Sequence, residues 1–214
     1  HNMWLMQIMQ WGFVRKLFKS IRSRQDVGKV KTHEVLSNCD YSTLLKYYKK
    51  IFSKVDYFHF NSYVAKRIYE NCLGSCIGEV LLVSNSGVKD RRSLHKSQGK
   101  LKIGFLGGDS SFKGLDTLLE VCSEVYEEGK TEIELQIYGS VQQSDYPFCK
   151  YHKPYGEKEL DSVFQHMDVL AVPSKWPETF AMVALEAIAH GVPVIMTEYV
   201  GARMLVEESD KTIG

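Results

Sequence analysis

The chain is 214 residues long with 44% hydrophobic and 25% charged residues, the composition of a globular protein that has one core or two small ones. It contains no run of about 18 apolar residues, so the sequence predicts no membrane-spanning helix. The net charge of +1 conceals two unlike halves, because residues 1–100 carry 18 Lys and Arg against 7 Asp and Glu, whereas residues 101–214 carry 9 against 19.

The first predicted element is a helix over residues 4–24, WLMQIMQWGFVRKLFKSIRSR, which has aromatic and aliphatic side chains at helical spacing. Its basic residues and its lack of acids are typical of a helix that lies on an anionic membrane surface. The alternative is a helix that packs on its own domain and turns a basic face to solvent. Peripheral membrane contact through 4–24 is therefore one of two open interpretations.

The remainder of the first half shows helical and strand patterns in alternation, near 41–53, 55–60, 62–73 and 79–84. A polar stretch at 89–100 follows and is typical of a crossover between domains. We therefore expect residues 1–95 to be the end of one domain with its crossover, and residues 96–214 to form a second domain.

The cysteines give no sign of a metal site or a disulfide framework. Their number is five, an odd count, and the closest two, Cys72 and Cys76, are not followed by a second pair at zinc spacing. We expect reduced thiols in a cytoplasmic protein, and no metal ligands.

The second half alternates short apolar segments with helical patterns, which predicts an α/β fold with a parallel sheet and flanking helices. The strands are predicted at LKIGFL (101–106), IELQIY (133–138), DVLAV (168–172) and VPVIM (192–196). Ligands of such sheets bind at the carboxyl ends of the strands, so the functional residues are expected in the loops after these segments.

The turn GGDSSFKG (107–114) follows the first of these strands and has the features of an anion site. Gly107 and Gly108 let a ligand approach the backbone, and Lys113 stands where free N–H groups and a cation hold phosphate. The turn matches neither the Walker loop nor the GxGxxG fingerprint. An ordinary tight turn with a surface lysine is the alternative.

The stretch PETFAMVALEAIAHGVPVI (177–195) predicts a helix that begins near Thr179, a good N-cap, and ends at Gly191. Its core-facing stripe is predicted to comprise Phe180, Val183, Ala184, Ala187 and Ile188.

Two acids stand on or beside this helix. Glu178 precedes it, and Glu186 lies about two turns along it on a flank shared with His190. Eight helical residues rise roughly 12 Å, which disfavours the carboxyl pair of a glycosidase and favours two acids at different ends of one elongated ligand. A narrow solvated strip formed by Glu186 and His190 is the alternative.

Four segments resemble the retaining glycosyltransferase family 4. The stretch 173–195 is similar to the family's highly specific signature of Pro-Ser, a Glu, seven residues, a second Glu and Gly-x-Pro-Val. The turn GGDSSFKGLDTLLE resembles its phosphate-contacting turn, VLLVSNSGVKD (80–90) its domain crossover, and HNMW (1–4) its His-Asp-Met-Trp. The resemblance implies a GT-B-type fold with a Rossmann-like donor domain, and we expect this chain to be truncated at both ends.

The resemblance also implies roles for individual residues. Glu186 would hold the ribose diol of a sugar nucleotide, Glu178 would face the transferred sugar, and Lys113 would neutralise the leaving diphosphate. His1 is similar to an active-site histidine, but a residue left from expression ahead of Met3 is an equal alternative. Further substrate contacts would come from Thr179, Phe180, Ala181, Gly107, Gly108, Tyr155, Gly156 and Ser174, of which Tyr155 and Gly156 would line the base pocket.

Three positions depart from the family pattern. Gly108 stands where the family has Arg, so one phosphate contact is missing or comes from elsewhere. Thr179 and Ala181 replace two glycines, which crowds the sugar pocket, and Asn85-Ser86-Gly87 replaces Pro-Asn-Gly.

We therefore expect a glycosyltransferase that moves a sugar from a UDP- or GDP-linked donor to a glycan or lipid-linked acceptor. The resemblance implies retention. The sequence has no Asp-x-Asp, so we expect no metal. We also expect no cofactor and no nucleic-acid partner. The alternatives are a non-catalytic nucleotide-sugar-binding module or inactive fragment, and a sugar epimerase of the same two-domain build.

Overall fold

The computed structural model describes residues 40–81, 90–92, 99–108 and 110–206, which fall into two compact units. The first unit comprises 40–59 and 67–79, and the second comprises 60–66 and the described residues from 80 onward. The predictions for His1, for 4–24 and for Asn85-Ser86-Gly87 lie outside the described residues and stay predictions, as does a domain boundary at residue 95.

Residues 40–81 form two helices and two strands, close to the predicted positions, namely α1 (Tyr41–Phe52), β1 (Phe58–Phe60), α2 (Tyr63–Leu73) and β2 (Gly78–Val80). The carboxylate of Asp40 caps α1 by accepting a bond of 3.0 Å from the Thr43 N–H. Leu44 and Tyr48 on α1 are buried in a small core of this unit.

The second unit is built on a five-stranded sheet with the order β5-β4-β3-β6-β7, every pair of which is parallel. The strands are β3 (Leu101–Leu106), β4 (Ile133–Tyr138), β5 (Cys149–His152), β6 (Val169–Val172) and β7 (Val194–Met196). The predicted parallel sheet is confirmed, and β5 is an additional edge strand. The chain extends the sheet from β3 to one side and then, at β6, to the other, so β3 and β6 flank a topological switch point.

Three helices cover the sheet, namely α3 (Leu115–Glu127), α4 (Leu160–Gln165) and α5 (Met182–Ala189). One apolar cluster places α3 against the strands through Leu115 and Cys122. The other contains Phe164 of α4 with Ala184 and Ala187 of α5, both fully buried. Apolar clusters that bring helices against the strands are the arrangement expected of alternating strands and helices. Within the described residues, no helix is both long and apolar enough to cross a bilayer.

The start of α5 differs from the prediction. The helix begins at Met182 with Ala181 as its N-cap, so Thr179 is not the cap and Phe180 is not on the helix. The reason is that the backbone of residues 178–180 forms hydrogen bonds with residues 199–202, which the local sequence does not reveal. Glu178 bridges Val200 as in a parallel sheet, and Phe180 remains buried although it lies outside the helix.

Candidate functional site

The segment 178–180, which precedes α5, is held in place by backbone and side-chain hydrogen bonds. The Glu178 N–H donates to Tyr199 O at 2.9 Å, and the Phe180 carbonyl accepts from the Ala202 N–H at 2.7 Å. The hydroxyl of Ser62, a fully buried residue, donates to the Thr179 carbonyl. Because these bonds leave the segment little freedom, the Glu178 side chain is presented from a rigid support.

Lys113 and Glu178 meet at the carboxyl ends of β3 and β6. The Lys113 Nζ lies 2.9 Å from Glu178 Oε1, and the side chains are 40% and 14% exposed. Ser174 is fully buried, and its hydroxyl donates to the same Glu178 oxygen. The expected contact of Ser174 with substrate stays a prediction, and in this structure its hydroxyl is occupied by the hydrogen bond to Glu178.

A glycine allows the two loops to approach this closely. Gly114 follows Lys113 with φ +75°, and a Cβ at that position would lie 1.9 Å from the Pro173 carbonyl oxygen. Only glycine tolerates both the left-handed conformation and this contact. The turn that carries Lys113 therefore packs directly on the residue that precedes Ser174, which brings the lysine to Glu178.

The turn after β3 begins at Gly107, whose N–H donates to Tyr138 O at 3.0 Å and continues the sheet. Apart from the adjacent residues of the chain, no atom of the described residues lies within 4 Å of the position that a Cβ on Gly108 would occupy. The backbone at Gly108 is therefore open to a ligand. Where the resembled family has an arginine, this chain has open space.

The amino end of α5 lies directly after residues 178–180. Its first helical bond is donated by the Ala184 N–H to Ala181 O at 3.0 Å, so the N–H groups of Met182 and Val183 have no acceptor within the helix. Such N–H groups and the helix dipole favour an anion. Ala181 holds φ 71°, a left-handed conformation, so the helix starts from a strained residue.

Glu186 and Tyr155 lie close enough for their charges to interact. Burial raises the pKa of Glu186, while the charge of His190 opposes this shift and that of Glu157 adds to it. Burial and then the charge of Glu186 raise the pKa of Tyr155 to about 12. The ring of Tyr155 packs edge-on against Tyr138, with ring centroids 6.0 Å apart.

His190 is not part of a solvated strip, because its side chain is only 12% exposed. Its Nε2 lies 2.9 Å from Asp161 Oδ1, and its ring stacks on Phe164 with centroids 4.6 Å apart. Arg91 donates from Nη1 to the same Asp161 oxygen. The bond with His190 and then that with Arg91 hold the pKa of Asp161 below its usual range.

A groove of about 390 Å³ elsewhere on the second unit is a poor site for the same ligand. It runs along α3, and its lining includes the carboxylates of Asp116, Glu120, Glu124 and Glu127. Four carboxylates would repel a diphosphate, so the carboxyl ends of β3 and β6 are the better candidate.

The structure thus brings Lys113, Glu178 and Ser174 together and places Glu186 beside Tyr155. The substrate and catalytic roles of these and of the other predicted site residues stay predictions, and the Gly156 N–H donates to Glu159 Oε2 at 2.7 Å. Sequence reasoning missed Ser62, Asp161 and the burial of His190. Within the described residues, no group of three or more His, Cys, Asp or Glu side chains is arranged to hold a metal ion.

A parallel sheet packed against helices, with a topological switch point between β3 and β6, defines a Rossmann-like class of α/β domain. The family model of Glycosyl transferases group 1 matches residues 100–213. The chain belongs to this family.

Known proteins agree with this assignment. The chain is 33% identical to the D-inositol 3-phosphate glycosyltransferase of Corynebacterium urealyticum over 135 residues, which is 55% of this chain and 32% of that protein. It is 26% identical over 147 residues to spore coat protein SA of Bacillus subtilis, which is 58% of this chain and 38% of that protein. The chain therefore spans about a third of the length of these relatives.

Among solved structures, the fold is similar to sucrose-phosphate synthase from Thermosynechococcus elongatus, with a TM-score of 0.60 and 19% identity over 82% of this chain and 47% of that one. It is also similar to Alr3699/HepE of Anabaena in complex with UDP and glucose, with a TM-score of 0.58 and 16% identity over 76% of this chain and 50% of that one. These likenesses support the GT-B fold.

Proposed function

We propose that the chain supplies the donor-binding part of a retaining glycosyltransferase, which moves a sugar from a nucleoside diphosphate to a glycan or lipid-linked acceptor. One observation carries the proposal. Lys113 and Glu178 meet at 2.9 Å at the switch point of the sheet, directly before the amino end of α5. A cation, an acid and free N–H groups at one place fit a diphosphate joined to a sugar.

The chemistry proposed for Lys113 is electrostatic. When the bond between the sugar and the diphosphate breaks, negative charge grows on the leaving phosphate. The Lys113 ammonium and the N–H groups of Met182 and Val183 are fixed donors that would stabilise this charge. Glu178 would orient the sugar hydroxyls, and Ser174 would hold Glu178 in place.

Glu186 would bind the ribose. An ionised carboxylate accepts two hydrogen bonds, which suits the two neighbouring hydroxyls of a ribose. Partial burial would strengthen these bonds, because less water competes for the carboxylate. The same burial raises the pKa of Glu186, so nucleotide affinity is expected to decline in acid as this carboxyl takes up a proton.

Calorimetric titration with UDP and with GDP tests the binding site. Glu186→Gln keeps the shape of the side chain but removes its charge, and should weaken nucleotide binding by more than tenfold, since bonds to charged groups contribute about 1.5–3 kcal/mol. Glu124→Gln on exposed α3 is the matched control and should leave the affinity unchanged. Unchanged affinity in Glu186→Gln would exclude the ribose role.

A second candidate function is a nucleotide-sugar-binding module without activity. It is favoured by Gly108, which leaves open space where the resembled family has a phosphate-binding arginine. Release of labelled glucose from UDP-glucose, with and without added glycan or membrane lipid acceptors, separates the two candidates. Turnover that Lys113→Met abolishes and Lys175→Met preserves supports the enzyme, whereas tight binding without any turnover supports the module.

We further propose a role in polysaccharide assembly in the cytoplasm, with peripheral membrane contact through the basic segment 4–24. A basic helix with aromatic residues would bring the donor site to a lipid-linked acceptor. Co-sedimentation with vesicles of anionic and of neutral lipid tests this contact. Binding to the anionic vesicles that salt reverses is the expected result, and no binding at low salt would exclude it.

A further inference from the structure

His190 and Asp161 connect two parts of the candidate nucleotide site that are distant in sequence. His190 ends α5 four residues after Glu186, and Asp161 lies on α4 five residues after Gly156. We propose that these two are positioning residues, which hold the Tyr155-Gly156 segment against α5 and make nucleotide affinity depend on the proton that His190 carries. The inference rests on the function proposed above.

The geometry of the imidazole ring supplies the first argument. Nδ1 lies 2.6 Å from the Glu186 carbonyl oxygen, and Nε2 lies 2.9 Å from Asp161 Oδ1. Both partners are acceptors, so each ring nitrogen must carry a hydrogen for both bonds to form. The doubly protonated ring makes both bonds, whereas either neutral tautomer makes one.

Asp161 follows the segment that contains the proposed base-pocket residues Tyr155 and Gly156. The Gly156 N–H donates to Glu159 Oε2 at 2.7 Å, and the Glu159 N–H donates to Gly156 O at 3.0 Å. These reciprocal bonds join the Tyr155-Gly156 segment to the turn that leads into α4. A change in the bond between His190 and Asp161 is therefore transmitted to Tyr155, whose ring faces the charge of Glu186.

The charged groups around the ring come from four elements. The carboxylates that act on the ring are Asp161 on α4 and Glu186 on α5, and Arg91 shares Asp161 with the ring. Glu157, in the turn before α4, acts on Glu186. Arg92, which lies beside Gly191, is paired with Asp90 through a bond of 2.9 Å. Since the pKa of Asp161 lies below its usual range, this residue stays ionised wherever histidine titrates.

Two limbs are therefore expected in a plot of nucleotide affinity against pH. The acid limb belongs to Glu186, which must be ionised to accept the ribose hydroxyls. The alkaline limb belongs to His190, because loss of its proton breaks one of the two bonds that hold the segments together.

Titration of UDP and of GDP into the 214-residue chain from about pH 5 to about pH 9 tests the inference. Affinity of the unchanged chain should fall about tenfold on the alkaline side, the effect of one bond to a charged group. His190→Gln should bind weakly and lack this limb, and Asp161→Asn should flatten it, because an amide can accept from a protonated ring nitrogen or donate to a bare one. His166→Gln is the matched control on exposed histidine, and should keep the profile of the unchanged chain.

At each pH the affinity of a variant is divided by that of the unchanged chain. This ratio is independent of the titration of the nucleotide's own phosphate. An equal loss of affinity in His190→Gln at every pH would mean a merely structural role and would overturn the inference, as would an alkaline limb that persists. If the unchanged chain binds neither nucleotide, the proposed function itself fails. The Asp161 side chain is 49% exposed, so Asp161→Asn should leave the chain folded. This variant therefore tests the inference even if His190→Gln unfolds.

Discussion

Ala181 is the non-glycine residue with positive φ among the described residues, and it stands at the amino end of α5. Left-handed backbone costs an L-residue about 1–2 kcal/mol, and such strain is typical of functional sites. Here the bonds of residues 178–180 on one side and the buried helix on the other enforce the conformation. Glycosyltransferase family 4, which the sequence resembles, has glycine at this position. A single substitution to glycine would therefore remove the backbone strain in this chain.

We therefore predict that Ala181→Gly stabilises the protein. The strain relieved exceeds the entropy that glycine adds to the unfolded chain, for a net gain of about 0.5–1 kcal/mol. Ala189→Gly, on the same helix in ordinary helical conformation, should instead lose about 0.5–1 kcal/mol. Urea unfolding measures both, and equal signs for the two variants would contradict the argument.

Ser174 is a fully buried polar residue whose hydroxyl orients the side chain of another residue. Its hydroxyl donates to Glu178, and its carbonyl accepts from Thr197 Oγ1 at 2.6 Å. Ser174→Ala should lower the free energy of unfolding by about 1–3 kcal/mol, because Glu178 loses a buried donor. Ser162→Ala, at an exposed position on α4, should cost less than about 0.5 kcal/mol in the same urea titration.

At the scale of elements, the close approach of the loops that follow β3 and β6 depends on the turn that contains Gly114. Gly114→Ala would press a methyl group onto the Pro173 carbonyl, whereas Gly129, with φ +85°, has no atom within 4 Å of its Cβ position. Gly129→Ala should cost about 1 kcal/mol for backbone strain alone. Gly114→Ala should cost about 1–3 kcal/mol more, from the steric clash.

Nucleotide binding distinguishes the two variants further. Gly114→Ala moves Lys113 away from Glu178 and should weaken UDP binding, while Gly129→Ala should leave it unchanged. Equal unfolding free energies and equal affinities for the two variants would show that the contact with Pro173 does not position the lysine.

The sequence predicted the elements well where apolar residues dominate a segment. β3 and β4 have the predicted bounds, since in both strands apolar residues outnumber the few polar ones and both strands lie in the interior of the sheet. β5 was missed because CKYH is short, half polar and pairs with β4 at an edge of the sheet. The start of α5 was misplaced because tertiary pairing with residues 199–202 overrode a good local N-cap at Thr179.

The candidate site was predictable in part for the same reason. The resemblance assigned Lys113 and Glu178 to one donor site, but their contact was not predicted, because no spacing in the sequence encodes it. Ser62 bonds to a residue 117 positions away, and no local pattern marks such a contact. Asp161 stands on a short helix whose polar face has no periodic signal, so its bond with His190 appears only in three dimensions.

At the scale of the whole molecule, the ionised side chain of Glu186 would favour ligand binding but lower the folding stability of the free protein. Burial raises its pKa above the ordinary value of 4.5, so the folded protein holds this proton more tightly than the unfolded chain does. Folding stability from this group is therefore fully present in acid and is lost as pH rises from about 4.5 through the raised pKa. At neutral pH the ionised carboxylate destabilises the free protein, and bound ribose would compensate for this cost.

Glu186→Gln should consequently act in opposite directions on the free and the bound protein. Without ligand, its thermal midpoint at pH 7 should exceed that of the unchanged chain, and the difference should vanish toward pH 4, where Glu186 is protonated in both states. With UDP at a hundred times its Kd, the unchanged chain should gain about 2.7 kcal/mol of stability and the variant distinctly less at the same concentration. Thermal unfolding with and without UDP at both pH values measures all of these quantities. A variant that is less stable than the unchanged chain without ligand at pH 7 would show that Glu186 contributes to folding stability rather than to ligand binding.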